Sequence, residues 1–430
     1  MWPLVEEFPH MGREKNHMEI LDSQGFEDID GSICLAHIHD EALSKTLAPQ
    51  SRDDKCRICN SRGTVIDLNS LMVEVMEAVQ FLYESPENAG VPWDPDDGWM
   101  GAVVEDSDQV VIDVCFKTFT PDVEYDVLDL LASSIALAEW TENRHGSSLD
   151  AAQWAWEQFV SDVKTESRFV FLPDSSFEGI SSPGQRSAGF LWSLLPYVDN
   201  PELSLLVDVP KGTAFYRGRL IHDPFDKTAS AKKLGPAPAD NAAANRMSPE
   251  GVPMFYGSGA PETAIREIGA HGVGGYARIG AFRNQRELTL LDLTTLPVLP
   301  SVFDKDEREN HGVVRFFSHF AKNLTAPIRP DGRPHVEYVP TQVITEFFRW
   351  VPSRKIDGIK LRSAQDGEDT YVLFFGQEHV DDEKPENTQT KIQEEDAFGF
   401  GFEPEPPVLT LNPSEVHTYR IIRHIDAEII

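Results

Sequence analysis

The spacing of apolar residues changes once along this chain of 430 residues, close to residue 205. Before it, apolar side chains recur every three or four positions in Leu71–Tyr83, Val123–Trp140 and Ala151–Val163. This spacing is typical of amphipathic helices, and Trp154 and Trp156 in the third segment are expected to lie in a core. After it, short apolar runs alternate irregularly with helical patterns, which favours an α+β fold with a mixed or antiparallel sheet. The length also exceeds one ordinary core, so the sequence predicts a multidomain protein.

Near the N-terminus, potential metal ligands come in two pairs. Cys34 and His37 are separated by two residues, and so are Cys56 and Cys59. This spacing lets a tight backbone turn aim two side chains at one tetrahedral zinc ion. His39 is a second candidate for the histidine ligand, and incidental cysteines beside a surface histidine are the alternative. Four protein ligands leave no open position, so the pattern predicts a structural zinc and not a catalytic one.

Composition marks the remaining segment boundaries. Turn-forming residues are concentrated between the helical and strand-rich parts, which predicts a linker there. A later stretch is acidic and rich in Pro and Gly, and this composition is typical of an exposed, disordered insertion. The predicted segments are a flexible arm (1–30), a zinc knuckle (31–65), an all-α domain (66–172), a linker (173–204) and an α+β domain (205–430) with an acidic insertion (378–407).

The overall charge restricts the partners. A net charge of −33 argues against nucleic acid as the main partner, because phosphate binding requires clustered Lys and Arg. No apolar run approaches the roughly 18 residues of a membrane span. The first residues lack the basic and apolar regions of a secretory signal. We therefore expect a cytoplasmic protein without a membrane partner.

A strand in the C-terminal part carries two arginines. Alternation along this strand places Phe215, Arg217 and Arg219 on one face. An arginine in an apolar strand needs an anion, because burial of an unpaired guanidinium is unfavourable. The anion is either a ligand or the carboxylate of a salt bridge.

Further polar residues follow at the ends of predicted elements. Arg246 precedes a strand that ends at Tyr256, and the small residues Gly257–Gly259 permit close approach of a ligand. Glu267 lies on the flank of a helix, held either by the arginines or by another cation or solvent. Ser363 follows a strand and either contacts a ligand or caps its own turn.

Several catalytic signatures are absent from the sequence. No Gly-x-Ser-x-Gly motif surrounds Ser363, and the chain has neither a Gly-x-Gly-x-x-Gly motif nor a phosphate-binding loop with its lysine. In HEPN ribonucleases an Arg and a His are separated by four to six residues, whereas Arg144 and His145 are adjacent. The helical domain is therefore predicted to be non-catalytic.

Four blocks of the C-terminal part resemble the RES domain in order and spacing. They are Phe215–Arg219, Asn245–Gly257, Glu262–Ile268 and Gly358–Ala364. Residues 31–172 resemble the zinc-knuckle and helical region, called HEPN/RES N-terminal, that accompanies some RES domains. The resemblance implies an ADP-ribosyltransferase-like fold and degradation of NAD, usually by the toxin of a toxin–antitoxin pair.

The resemblance also implies site residues. Arg217 matches the family's arginine, Glu267 its glutamate and Ser363 its serine, while Tyr256 matches a site tyrosine and Arg246 an arginine near the pocket. Arg217 and Arg246 would hold the pyrophosphate of NAD, with Arg219 as an alternative to Arg217. Tyr256 would contact the nicotinamide ribose, and Glu267 would stabilise the oxocarbenium-like centre.

NAD would thus be a substrate, and water or inorganic phosphate the acceptor, in a glycohydrolase or a phosphorylase. An antitoxin or another regulatory protein is the expected partner. Two other functions stay open at this stage. One is an ADP-ribosyltransferase that modifies a macromolecule, and the other is a non-catalytic binding protein nucleated by zinc.

Overall fold

The computed structural model describes residues 24–143, 151–171, 182–270, 272, 274–325, 334–384 and 406–422. It divides into two compact units. The first comprises Met1–Trp154 and Val298–Arg315, and the second comprises Ala155–Pro297 and Phe316–Ile430. The change between units therefore falls before the predicted linker at 173–204, and a later segment of the chain returns to the first unit.

The first unit contains short helices and strands around one apolar core. Its helices are α1 (Glu41–Leu47), α2 (Leu68–Leu82), α3 (Ser107–Cys115) and α4 (Glu124–Ala132). Its strands are β1 (Ser32–Cys34), β2 (Arg52–Lys55), β3 (Arg62–Asp67), β4 (Tyr83–Glu84), β5 (Trp93–Asp94), β6 (Gly98–Trp99), β7 (Glu105–Asp106) and β8 (Glu139–Glu142). Two small sheets have the orders β1-β3-β2 and β4-β8-β7, and β5 pairs with β6.

The prediction of an all-α domain is therefore wrong in part. The expected helix Val123–Trp140 ends at Ala132, and the chain continues into β8. After Ala132 the Ser134 N–H bonds to the carbonyl of Leu131, three residues back, which tightens the last turn. Apolar spacing continues beyond this point, so it did not indicate the end of the helix.

Part of the predicted flexible arm also belongs to this unit. Phe26 and Ile29 are 2% and 4% exposed and lie in the apolar core. Their burial explains why residues 24–30 are held against the domain, contrary to the prediction for residues 1–30. Residues 1–23 lie outside the described part of the chain.

The second unit contains the remaining elements. Its helices are α5 (Ala151–Thr165), α6 (Pro183–Ser193), α7 (Leu195–Val198), α8 (Ala231–Leu234), α9 (Pro261–Ala270), α10 (His311–Thr325), α11 (Pro334–Glu337) and α12 (Val339–Trp350). Both α5 and α10 have their first residues in the first unit. Its strands are β9 (Leu206–Val209), β10 (Ala214–Ile221), β11 (Phe255–Ser258), β12 (Tyr276–Asn284), β13 (Leu288–Asp292), β14 (Gly358–Arg362), β15 (Asp369–Leu373), β16 (Val380–Asp382), β17 (Leu409–Leu411) and β18 (His417–Arg420).

These strands form one large mixed sheet. Within the described ranges its order is β16-β17-β12-β10-β11-β15-β14-β13-β9, and β18 also pairs with β12. The pairs β13–β14 and β16–β17 are parallel, whereas the other described pairs are antiparallel. The sheet agrees with the predicted α+β architecture.

The two faces of the sheet carry different helices. Phe215, Phe255 and Phe282 lie on one face together with Leu234 of α8, and this face is called the α8 face below. On the other face, the α9 face, Ala277 packs with Ala264 of α9. Because side chains alternate along a strand, this division tells on which side each polar residue of the site lies.

An aromatic cluster explains why most of α5 belongs to the second unit. Its members are Trp156, Phe159, Phe190, Phe316 and Phe320, with neighbouring ring centroids 5.0–6.1 Å apart. Rings at these distances bury large apolar areas and attract each other. The prediction of a core position is confirmed for Trp156, whereas Trp154 is 67% exposed.

The predicted acidic insertion begins later than expected. Val380–Asp382 forms β16, which pairs in parallel with β17, and Val380 is buried in the core of the α8 face. Residues 385–405 lie outside the described part of the chain. No helix in the described ranges is both long and apolar enough to cross a bilayer.

Candidate functional site

Strand β10 carries Arg217 between the core and the surface. Phe215 is fully buried, Arg217 is half-buried and Arg219 is exposed, all on the α8 face. Arg217 donates Nε to the Leu234 carbonyl at 3.2 Å and Nη1 to the Tyr256 carbonyl at 2.5 Å. Its guanidinium carbon lies 5.5 Å from the centre of the Phe255 ring.

The contacts of Arg217 connect β10 and β11 at the point where these two strands separate. The pairing of β10 with β11 is limited to Tyr216 with Ser258. Arg217 reaches the Tyr256 carbonyl beside the point where this ladder ends.

Within the described residues, Arg217 has no carboxylate partner, so the salt bridge that was the alternative is not observed there. Burial and the neighbouring charge of Arg219 lower the pKa of Arg217 to about 10. The guanidinium therefore stays charged at neutral pH. A half-buried cation held by neutral carbonyls is suited to bind an anion.

Tyr256 lies at the same strand junction. Its side chain points to the α9 face, opposite to that of Phe255, and its hydroxyl forms a 3.0 Å hydrogen bond with Ser248 Oγ. Burial raises the pKa of Tyr256 to about 12, so the phenol stays protonated. Gln342 of α12 donates to the Ser248 carbonyl at 3.2 Å and so holds this loop. A buried serine in a loop carries no sequence signal, and Ser248 was not predicted.

Glu267 and Ser363 are in direct contact. The Ser363 hydroxyl donates to Glu267 Oε1 at 2.5 Å and accepts the Gln365 N–H at 3.1 Å. Ser363 is only 6% exposed at the end of β14, and Glu267 is half-buried on α9. The serine therefore both contacts the glutamate and caps its own turn.

A second bond joins the same two elements. Arg266 donates to Asp366 Oδ2 at 2.8 Å, next to the Glu267–Ser363 contact. Burial raises the pKa of Asp366, but hydrogen bonds from Arg266 and the Glu368 N–H outweigh it and leave this pKa below its usual value. Adjacent residues of α9 thus bind the turn between β14 and β15 twice. Asp366 was not predicted, although it follows Ser363 closely in the sequence.

Arg246 contacts the C-terminal end of α10. Its Nη1 donates to the carbonyls of Asn323 at 2.6 Å and Leu324 at 2.8 Å, in the last turn of α10. Such carbonyls lack partners within the helix, and an arginine is a favourable cap for them. Its own carbonyl accepts the Thr341 hydroxyl at 2.5 Å. The described contacts of Arg246 therefore anchor the loop that carries Ser248.

The structure links the predicted residues in two pairs, Arg217 with Tyr256 and Glu267 with Ser363. Both pairs are connected through β11, which lies between β10 and β15 and leads into α9. Arg217 and Arg219 both point to the α8 face, whereas Glu267 lies on α9. His271, Arg144 and His145 lie outside the described residues. The arrangement can hold an anionic substrate and place a carboxylate near a developing positive charge.

The four predicted metal ligands form one cluster in the first unit. Their donor atoms lie within 4.8 Å of one another, with 3.8 Å between the sulfurs of Cys34 and Cys59 and 3.9 Å from Cys56 Sγ to His37 Nδ1. Zinc–sulfur bonds of about 2.3 Å in a tetrahedron place two sulfurs about 3.8 Å apart. The cluster therefore fits zinc, whereas His39 is exposed and lies outside the cluster.

Family models match both parts of the chain. Residues 217–394 match the RES domain. The chain is a RES-domain protein. Residues 49–177 match HEPN/RES N-terminal domain 1. No significant match was found among curated proteins or among solved structures.

The match to the RES domain begins at Arg217 and extends past Ser363, so it includes every residue predicted for the NAD site. The N-terminal match includes Cys56 and Cys59, whereas Cys34 and His37 precede it. The RES domain is consistent with an enzyme that acts on NAD.

Proposed function

We propose that this RES-domain protein degrades NAD by cleaving the bond between nicotinamide and ribose, as a glycohydrolase or a phosphorylase. The hydrogen bond from Ser363 to Glu267 carries the proposal. It joins residues 96 positions apart, and both lie within the range that matches the RES domain. A carboxylate held by a buried hydroxyl is suited to stabilise a cationic centre.

The substrate's pyrophosphate would supply the anion that Arg217 lacks among the described residues. Arg217 and Glu267 lie on different sides of the sheet, so the dinucleotide would pass the point where β10 and β11 separate. Charge-assisted bonds from a guanidinium to phosphate oxygens are strong and directional. Tyr256, protonated and held by Ser248, would contact the nicotinamide ribose. In this proposal Arg246 supports the Tyr256 pocket through its loop and does not itself clamp the pyrophosphate.

The chemistry follows from the charges. As the glycosidic bond breaks, its electron pair leaves with nicotinamide, and positive charge develops on the ribose. Glu267 would stabilise this oxocarbenium-like centre, while Ser363 keeps the carboxylate in place. Attack by water would yield ADP-ribose and a proton, and attack by inorganic phosphate would yield ADP-ribose phosphate.

Zinc would have a structural role. The three cysteines and His37 complete a four-ligand shell, so no position is left for substrate. The resemblance to toxins further leads us to propose a toxin-like or defence effector, restrained by an antitoxin or another regulatory protein. Induced expression should then lower cellular NAD.

The test is incubation of the purified chain with NAD, with and without phosphate, and quantification of nicotinamide, ADP-ribose and ADP-ribose phosphate. Glu267→Gln should lower turnover by about 100-fold or more, as loss of a group that stabilises transition-state charge does. Glu262→Gln is the matched control, because Glu262 is exposed on the same helix.

Three results would contradict the proposal. Label from the ADP-ribose part retained on a macromolecule would indicate a transferase. A wild-type chain that never turns over NAD would indicate a non-catalytic binding protein. Full activity of the Glu267→Gln protein would remove Glu267 from the mechanism.

A further inference from the structure

Two arginines face each other across neighbouring strands of the large sheet. Arg219 of β10 and Arg278 of β12 are direct partners in the antiparallel register. Partners of this kind point to the same face, with Cβ atoms about 4.5–5.5 Å apart. Like charges placed so destabilise a sheet, so a bound anion would stabilise this pair.

The described residues do not supply that anion. Arg278 donates Nε to the Thr228 carbonyl at 2.8 Å and Nη1 to Thr418 Oγ1 at 2.6 Å, both neutral acceptors. Arg219 is exposed and has no hydrogen bond or ion pair with a described residue. Asp226 is a nearby carboxylate, and its pKa is lowered first by hydrogen bonds from Thr228 and further by the charges of Lys233 and Arg278. It forms no ion pair with either arginine within 4.0 Å.

The surroundings add positive charge. Arg217 is the next residue of β10 on the same face, and the charge of Arg219 contributes to lowering its pKa. Helix α8 packs on this face and carries the exposed residues Lys232 and Lys233. The chain has 71 acidic and only 38 basic residues, so carboxylates are abundant, yet no described carboxylate forms an ion pair with Arg219 or Arg278.

We propose that Arg219 and Arg278 form a binding site for a phosphate group, next to Arg217 and separate from it. Guanidinium groups bind phosphate oxygens through paired N–H donors, and no described residue accepts a hydrogen bond from Arg219. Arg217 uses two of its nitrogens on protein carbonyls and lies deeper in the sheet.

The inference deepens the proposed function and rests on it for the dinucleotide that would carry the phosphate. The group is either free inorganic phosphate or the 2′-phosphate of a phosphorylated dinucleotide. Both present a terminal phosphate with a charge near −2.

The test is calorimetric binding to the full chain in phosphate-free buffer, with inorganic phosphate and with 2′-phospho-ADP-ribose as separate probes. Arg219→Gln should weaken binding of one probe by about 10- to 100-fold, the effect of removing hydrogen bonds to a charged group. Arg219→Lys keeps the charge without the paired donors and should lose less. Arg283→Gln on β12 is the matched control, because Arg283 is already paired with Glu415 at 3.1 Å.

Selective weakening of inorganic phosphate binding would identify free inorganic phosphate as the ligand. Selective weakening of 2′-phospho-ADP-ribose binding would identify the phosphorylated dinucleotide as the ligand. The proposal would be overturned if Arg219→Gln and Arg283→Gln weakened probe binding equally, or if the Arg219→Gln protein bound both probes as the wild type does. A wild-type chain that binds neither probe would also overturn it. Binding does not require turnover, so failure of the proposed function is distinguishable from failure of this site.

Discussion

Replacing Ser363 with Ala tests the contact on which the proposed mechanism depends. The change removes the 2.5 Å bond from Ser363 Oγ to Glu267 Oε1 and the acceptor for the Gln365 N–H. A hydrogen bond to a charged group contributes about 1.5–3 kcal/mol. Glu267 is half-buried and Gln365 is exposed, so water can replace part of what is lost. We therefore expect the lower end, about 1.5 kcal/mol, which corresponds to about a tenfold lower kcat.

The assay is steady-state release of nicotinamide from NAD, with kcat and KM determined separately. Ser363 contacts Glu267 and not the proposed binding group Arg217, so KM should change by less than about twofold. Ser353→Ala is the control, because its hydroxyl also donates to a carboxylate, Asp199 at 2.9 Å, but at an exposed position. A Ser363→Ala protein with wild-type kcat, beside an inactive Glu267→Gln protein, would refute the positioning role.

Two further predictions concern the metal cluster and the turn after β14. Cys56→Ser should reduce zinc from about one ion per chain to almost none in metal analysis, whereas Cys115→Ala, which changes a buried thiol outside the cluster, should retain it. Retention of zinc by the Cys56 variant would contradict the ligand set. The pKa of Asp366 in the folded protein lies below its usual 3.8. The ion pair between Asp366 and Arg266 therefore stabilises the fold above about pH 4, and this stabilisation is lost as the pH falls through the pKa of the folded state. The difference in melting temperature between wild type and Asp366→Asn should therefore shrink from pH 6 to pH 3, and a constant difference would contradict the ion pair.

Local pattern predicted the elements of the second unit well. The strand expected to carry the two arginines is present as Ala214–Ile221, and the helix expected to carry Glu267 is present as Pro261–Ala270. Both depend on residues close in sequence, because alternation and helical spacing are local properties. The same reasoning failed at Val123–Trp140, where the apolar spacing continues after the hydrogen bonds of the helix have ended.

Long-range partners could not be predicted in the same way. The contact between Glu267 and Ser363 depends on where α9 lies relative to the end of β14, and the C-capping role of Arg246 depends on the position of α10. Neither relation leaves a periodic signal in the chain. Family resemblance pointed to these residues, but it did not indicate which atoms they contact.

The sequence by itself determined the kinds of elements in the second unit, the two pairs of metal ligands and the polar residues that resemble those of the RES family. These features depend on spacing over a few residues, because each helix or strand buries the apolar side chains of one of its faces. Tertiary structure alone decided which charges found partners. Strand order placed Arg219 opposite Arg278 and Arg217 beside the Tyr256 carbonyl, and loop paths kept the described carboxylates out of ion-pair range of these arginines. Such pairings join distant parts of the chain, so they depend on how the whole sheet is assembled and not on any one segment.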